Sequence, residues 1–184
     1  KKVPELPVQI TTEAVGKFSP EEQFEVVKLV QPEAASVALI EMMPNIKDPR
    51  LAQNFYNFAI ENNVQIQHIL YSVEDLKLFK KAIELKVIPK KNLQVLYVLG
   101  RYDKNFQSKK EDLDLFLEEH KNIISEIDWG ICAFGRAETD CLIKSNLNGG
   151  KVRVGFENNF YNQDGTLASS NAERVAEVSK FINP

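Results

Sequence analysis

The sequence predicts an α/β protein of parallel strands joined by helical crossovers, and three observations carry that prediction. Short apolar runs rich in β-branched and aromatic residues alternate with helical segments six times along the 184 residues. The alternation repeats roughly every thirty residues, the length of one strand–helix unit. Several helical segments open on recognisable capping sequences, which fixes where each crossover begins.

The elements follow in order. Residues 8–11 form a short first strand, and Ser19-Pro20-Glu21-Glu22 opens a helix with a capping box and proline in its first turn. Residues 36–40 are the second strand, followed by a helix over about 49–62. Residues 64–71 come next, with Ser72 as N-cap of a helix ending near Lys86. Residues 93–99 are strongly β-branched and aromatic, and Ser108-Lys-Lys-Glu111 is read as the cap of a helix running to about Ile124. Residues 129–134 precede a helix over 138–147. Residues 152–156 form the last strand, and Ser170-Asn-Ala-Glu173 caps the terminal helix.

Strands that are apolar through their middles are covered on both faces, as in parallel sheets. Two architectures fit, an open doubly wound sheet and a (β/α)8 barrel lacking two units. The whole chain is read as one domain, residues 1–184. The carboxyl ends of the strands carry Thr11, Thr12, Glu41, Tyr71, Gly100, Arg101, Arg136, Glu138 and Glu157, on the edge where either architecture binds ligands. Taken singly, Glu41, Arg101 and Glu138 read as the starts of solvated loops.

Composition excludes several classes of function. A net charge of −3 with no dense Lys/Arg cluster argues against a nucleic-acid partner. There is no leader pattern and no apolar run long enough to span a bilayer, so no membrane partner is expected. Cys132 and Cys141 are too few for a disulfide framework and read as reduced packing residues. The expected location is cytoplasmic.

The last strand singles out a site. Alternation places Val152, Val154 and Phe156 on one face and Arg153, Gly155 and Glu157 on the other. At ~3.3 Å per residue, Arg153 and Glu157 stand roughly 13 Å apart, too far to be merely each other's salt-bridge partner. Two inward charges then need other partners, of which substrate and metal are the usual ones. This feature favours a barrel.

The segment Gly149-Gly-Lys-Val-Arg153-Val-Gly-Phe-Glu157-Asn-Asn, continuing through Leu167-Ala-Ser-Ser-Asn171-Ala-Glu-Arg-Val175, resembles the carboxyl-terminal signature of the β-keto acid cleavage enzymes, the 3-keto-5-aminohexanoate cleavage type. The resemblance extends through Trp129-Gly-Ile-Cys-Ala-Phe-Gly135-Arg136 and more weakly through Leu99-Gly100, Pro32-Glu33-Ala-Ala-Ser36 and Ile10-Thr11-Thr12. It implies a (β/α)8 barrel of which about six units are present, and a divalent metal, normally Zn2+. It also implies conversion of a β-keto acid plus acetyl-CoA into acetoacetate and a new acyl-CoA. Glu157 is then the metal-ligand carboxylate, Arg153 the inward arginine of the catalytic cluster, and Thr11 and Thr12 the groups presented to substrate.

The departures from that pattern are specific. The family's His-x-His metal pair has no counterpart in this sequence, whose only histidines are His68 and His120. Both read as structural: His68 faces the helix layer, and His120 falls late in a helix. Asn158 stands where some members have an aspartate, and Gln67 where the family often has a carboxylate. The simplest account has the first two units, roughly sixty residues, outside this chain, with Lys1-Lys-Val-Pro-Glu-Leu-Pro read as a loop. The open sheet edges are then covered by absent residues or by another copy, which predicts a homo-oligomer. A catalytically degenerate barrel kept as a binding or assembly protein is the alternative. A phosphate-binding loop at Gly149-Gly150 lies on the wrong edge, and the pair reads as a tight helix-to-strand turn.

Overall fold

The computed structural model describes residues 5–103, 105–123 and 126–182. The predicted opening loop begins in residues 1–4, outside the described residues, as does Ile124, the predicted end of the fourth helix. Six strands form one sheet in chain order: β1 (Gln9–Thr11), β2 (Ala34–Ala38), β3 (Gln65–Leu70), β4 (Leu93–Leu99), β5 (Ile127–Ala133) and β6 (Lys151–Val152). The registers of β1 on β2, β2 on β3 and β5 on β6 are parallel. Between them run α1 (Pro20–Val30), α2 (Leu39–Met42), α3 (Arg50–Glu61), α4 (Val73–Glu84), α5 (Asp112–His120) and α6 (Glu138–Leu147), and α7 (Asn171–Ile182) follows β6. The chain divides into two compact units. The first holds residues 1–70, 74–95 and 125–127, and the second residues 71–73, 96–124 and 128–184.

In the first unit, register explains which face is which. Ile10, Ala35 and Ile66 form one rung and Val37 and His68 another, on the face that the helices bury. The opposite face carries Gln9, Ala34 and Gln65, then Thr11, Ser36 and Gln67. The small residues of β2 let Gln9 Nε2 reach across to Gln67 Oε1 at 3.2 Å. At the edge, Glu33 Oε2 accepts from the Val8 amide at 2.5 Å, occupying a donor that an exposed strand would otherwise offer. Under the helices, the Phe24 ring meets Phe55 and Phe58 edge-on at 5.5 and 5.6 Å. Such pairs add about 0.5–1.5 kcal/mol beyond area burial. Helix α1 begins as predicted: Ser19 Oγ accepts from the Glu22 amide and Glu22 answers to the Ser19 amide. The second strand differs, starting two residues earlier and ending at Ala38, where Leu39–Met42 turns helical.

In the second unit, α6 closes in a Schellman motif. The Gly149 amide donates to Asn146 O and the Gly150 amide to Ser145 O, with Gly149 at φ +83°. A Cβ on Gly150 would lie 2.3 Å from the Trp129 ring, so the turn closes directly on that indole. The predicted tight turn is there. Two caps differ from expectation. Ser108 does not cap α5; its buried hydroxyl donates to Phe134 O at 2.8 Å, and α5 starts four residues later. Ser170 Oγ accepts from the Glu173 amide as predicted, but the Glu173 carboxylate turns to the Ser169 amide. No helix among the described residues is long and apolar enough to cross a membrane.

Candidate active site

The largest departure from the sequence reading lies where β6 ends. The strand holds two residues, not five. The Arg153 amide still donates to Ile131 O at 2.8 Å, extending the ladder by one bond. The chain then curls: the Asn158 and Asn159 amides both donate to Gly155 O at 2.9 and 3.2 Å. A turn rises far less per residue than a strand, so positions four apart come together. Arg153 and Glu157 are therefore not separated along an extended face. Arg153 Nη2 donates to Glu157 Oε1 at 3.2 Å, and the two are salt-bridge partners.

Around this pair the site is built from the ends of β5 and β6. Arg153 Nη2 also donates to Cys132 Sγ at 3.3 Å and Asn158 Oδ1 at 3.4 Å, so three acceptors hold one edge of the guanidinium. Burial pushes the Cys132 thiol up to about 11, against the opposing pull of Arg153. The thiol is therefore protonated at neutral pH and acts as a soft acceptor, not a nucleophile. Arg153 Nε and Asn158 Nδ2 are buried donors with no hydrogen-bond partner among the described residues. Glu157 is the outward member, with two-thirds of its side chain exposed against 40% for Arg153. The site thus presents an anchored, part-exposed guanidinium and one solvated carboxylate.

Beneath the turn lies a network that sequence reasoning missed. Glu138 and Arg174 have fully buried side chains and pair at 2.7 Å. Arg174 Nη2 also donates to Thr139 Oγ1 at 3.0 Å, and Nη1 contacts Glu177 and Asn162. Glu138 Oε2 accepts from Asn159 Nδ2 at 3.3 Å, and its Oε1 accepts from the Gly155 amide at 3.5 Å. Glu138 is thus no solvated loop start. Burial raises its pKa, opposed by the donors of Arg174. The carboxylate grips both ends of the turn that presents Arg153 and Glu157, and the Gly135 amide holds Asn158 O at 3.1 Å. The signal was available: α7 buries Arg174 and Val178 at i, i+4, placing a cation in an apolar stripe.

The other predicted residues fall in varied settings. In the first unit, Thr12 is buried and its hydroxyl donates to Ser36 O at 3.0 Å, while Thr11 is exposed and its hydroxyl accepts from the Glu13 amide at 3.2 Å. Glu41 is half-buried and receives the Ala14 amide and Gln23 Nε2 at 2.9 and 2.8 Å, tying down the loop after β1. In the second unit, the Arg136 guanidinium lies 3.8 Å from the centre of the Tyr161 ring. Both histidines are structural, as expected. His68 Nδ1–H donates to Gln94 O at 2.9 Å between the Tyr56 and Phe79 rings. The Tyr97 hydroxyl and His120 Nδ1 share a hydrogen bond of 2.6 Å.

Among the described residues, no three His, Cys, Asp or Glu side chains converge to hold a metal ion. Glu157 is one accessible carboxylate, Cys132 is held as a thiol, and both histidines are engaged in packing. The side chains present do not by themselves make the three-ligand set of a catalytic zinc site.

Comparison with known proteins places this geometry in context. A family model described as "beta-keto acid cleavage enzyme" matches residues 1–183. The 3-keto-5-aminohexanoate cleavage enzyme of Acetoanaerobium sticklandii is 38% identical over 60 residues, which are 33% of this chain and 22% of that enzyme. The chain thus matches less than a quarter of that relative's length.

Proposed function

Because the chain belongs to the β-keto acid cleavage enzyme family, we propose that it contributes to exchange of a carbon–carbon bond between a β-keto acid and acetyl-CoA, giving acetoacetate and a new acyl-CoA. The observation that carries this reading is the Arg153 guanidinium, 40% exposed at the end of β6 and anchored through Nη2 beside the solvated Glu157 carboxylate. A β-keto acid offers a carboxylate and a ketone oxygen in the same small molecule. Both are acceptors, and negative charge grows on the ketone oxygen as the α-carbon is deprotonated or the bond breaks. Donors fixed before the substrate arrives stabilise such charge without reorganising.

In this reading Arg153 binds the substrate carboxylate. Its Nη2 is held by Cys132, Glu157 and Asn158, which fixes the guanidinium so that its remaining N–H groups can meet the carboxylate. The Asn158 amide holds the guanidinium through Oδ1 at 3.4 Å; it cannot accept a proton, so it orients and does not act as a base. Thr11 offers an exposed hydroxyl at the end of β1, and Thr12 fixes the backbone beside it. Glu157 is the carboxylate assigned to a divalent metal. The described side chains do not complete that metal's shell, and no step here is routed through it. The same reading has the protein act in the cytoplasm, with both buried cysteines reduced, and as a homo-oligomer.

The test is acetoacetate formation by the full-length protein from a panel of β-keto acids with acetyl-CoA. Arg153→Lys keeps the charge but not the planar fork, so kcat/KM should fall roughly ten- to hundredfold, the effect of one charged hydrogen bond. No turnover across the panel by the wild type would overturn the reading in favour of a degenerate barrel.

A further inference from the structure

Residues 160–168, between β6 and α7, fold back on themselves as a hairpin. The Ala168 amide donates to Phe160 O at 2.9 Å and the Asn162 amide to Thr166 O at 2.8 Å. Its first arm carries Tyr161, whose amide donates to Asn159 Oδ1 at 3.0 Å and whose carbonyl accepts from Asn159 Nδ2 at 2.7 Å. Asn159 is held in turn by the buried Glu138 carboxylate. Over the Tyr161 ring lies the guanidinium of Arg136, its Cζ 3.8 Å from the ring centre. The hairpin turn flanks it, since a Cβ on Gly165 would stand 3.6 Å from Nη1. Arg136 is exposed, yet ring and turn hold it in one place.

Its charge has no protein counter-ion. Among the described residues no carboxylate pairs with it, and no acceptor takes one of its side-chain N–H groups. The acids that support the hairpin are engaged elsewhere: Asp140 by Gln163 Nε2, Asp164 by the Thr166 amide and Glu173 by Asn162 Nδ2, at 2.9, 2.9 and 2.7 Å. Stacking occupies the face of a guanidinium and leaves its planar fork of donors, the geometry that matches phosphate and carboxylate. Position selects between the two. Arg136 follows Gly135, whose amide donates to Asn158 O at 3.1 Å, so it borders the turn that carries Arg153 and Glu157. In the reading above Arg153 takes the small carboxylate, and the other anion of the reaction is the co-substrate, whose phosphates hang on a flexible pantetheine arm. We infer that Arg136, held by Tyr161, binds a phosphate group of acetyl-CoA at the exposed rim of the site; this rests on the reading of acetyl-CoA as co-substrate.

The experiment is titration calorimetry on the full-length protein with coenzyme A, with pantetheine, which has no phosphate, and with inorganic phosphate. Coenzyme A should bind at least tenfold tighter than pantetheine. Arg136→Met should weaken coenzyme A roughly ten- to hundredfold, the effect of one charged hydrogen bond, and leave pantetheine affinity unchanged. Tyr161→Leu keeps the charge but removes its support, and should weaken coenzyme A to a smaller extent. Lys151→Met removes an exposed cation at the amino end of β6 and should change nothing, which separates a local contact from net charge. Unchanged coenzyme A affinity in Arg136→Met, or an equal loss in Lys151→Met, would overturn the inference. So would inorganic phosphate binding as tightly as coenzyme A, the mark of a site for the free anion. Acetoacetate formation separates this inference from the reading it rests on. Turnover with coenzyme affinity independent of Arg136 overturns the inference alone, whereas Arg136-dependent coenzyme binding without wild-type turnover overturns the acyl exchange alone.

Discussion

Replacing Arg174 by leucine tests the buried network directly. The guanidinium supplies Glu138 with its 2.7 Å partner and also engages Thr139, Asn162 and Glu177. Without it, the carboxylate keeps only Asn159 Nδ2 at 3.3 Å and the Gly155 amide at 3.5 Å, both long. Removing one partner of a buried pair costs about 3–5 kcal/mol, because an uncompensated charge remains. Against a typical folding free energy of ~5–15 kcal/mol that is a large fraction. With a urea slope of ~2 kcal/mol per molar, the midpoint should fall by about 2 M. The penalty should shrink on acidification, since protonating Glu138 removes the stranded charge. Arg174→Leu combined with Glu138→Leu should recover most of the loss, because no fully buried charge is then left and Glu177, 19% exposed, keeps the Gln163 amide. The reasoning is refuted if the single change costs under about 1 kcal/mol, or if the double costs the sum of the two singles.

Three further outcomes are expected. Glu157→Gln should lower the divalent metal content of the full-length protein by elemental analysis without changing its thermal midpoint, and undiminished metal would remove Glu157 from the ligand set. His68 has a folded pKa of about 4, below the ordinary 6.5. Its contribution is therefore complete above pH 6.5 and is lost as pH falls towards 4, by up to about 3 kcal/mol, and His68→Phe should flatten that limb of a pH-dependent urea series. Gly150→Ala places a Cβ 2.3 Å from the Trp129 ring; overpacking of this kind costs about 1–3 kcal/mol, and an unchanged melting midpoint would show that the turn relaxes freely.

Strand positions were legible wherever composition and burial agreed. β4 occupies residues 93–99 as read, because Leu-Gln-Val-Leu-Tyr-Val-Leu has both strand propensity and near-complete burial. The end of β6 was not legible. Val-Arg-Val-Gly-Phe-Glu alternates like a strand, but the Gly155 carbonyl receives two amides from Asn158 and Asn159, and the turn wins. The Asn-Asn pair after the glycine was the overlooked sign. The partnership of Arg153 with Glu157 was missed for the same reason, since strand spacing was applied to residues that lie in a turn. Glu138 was misjudged because its neutralising partner is thirty-six residues away, on α7. The pattern of α7 marks Arg174 as buried, but no local pattern names Glu138 as its partner.

The two faces of β1, β2 and β3 have separate assignments. Ile10, Ala35, Ile66, Val37 and His68 keep the strands in step, because a one-residue slip would turn all of them out from under the helices. Thr11, Ser36 and Gln67 on the other face take no part in that constraint. Exchanges among them alter what the open face can recognise without disturbing the register that organises the fold. Such a division makes the scaffold evolvable, since the open face can change while alignment stays encoded on the side packed under the helices.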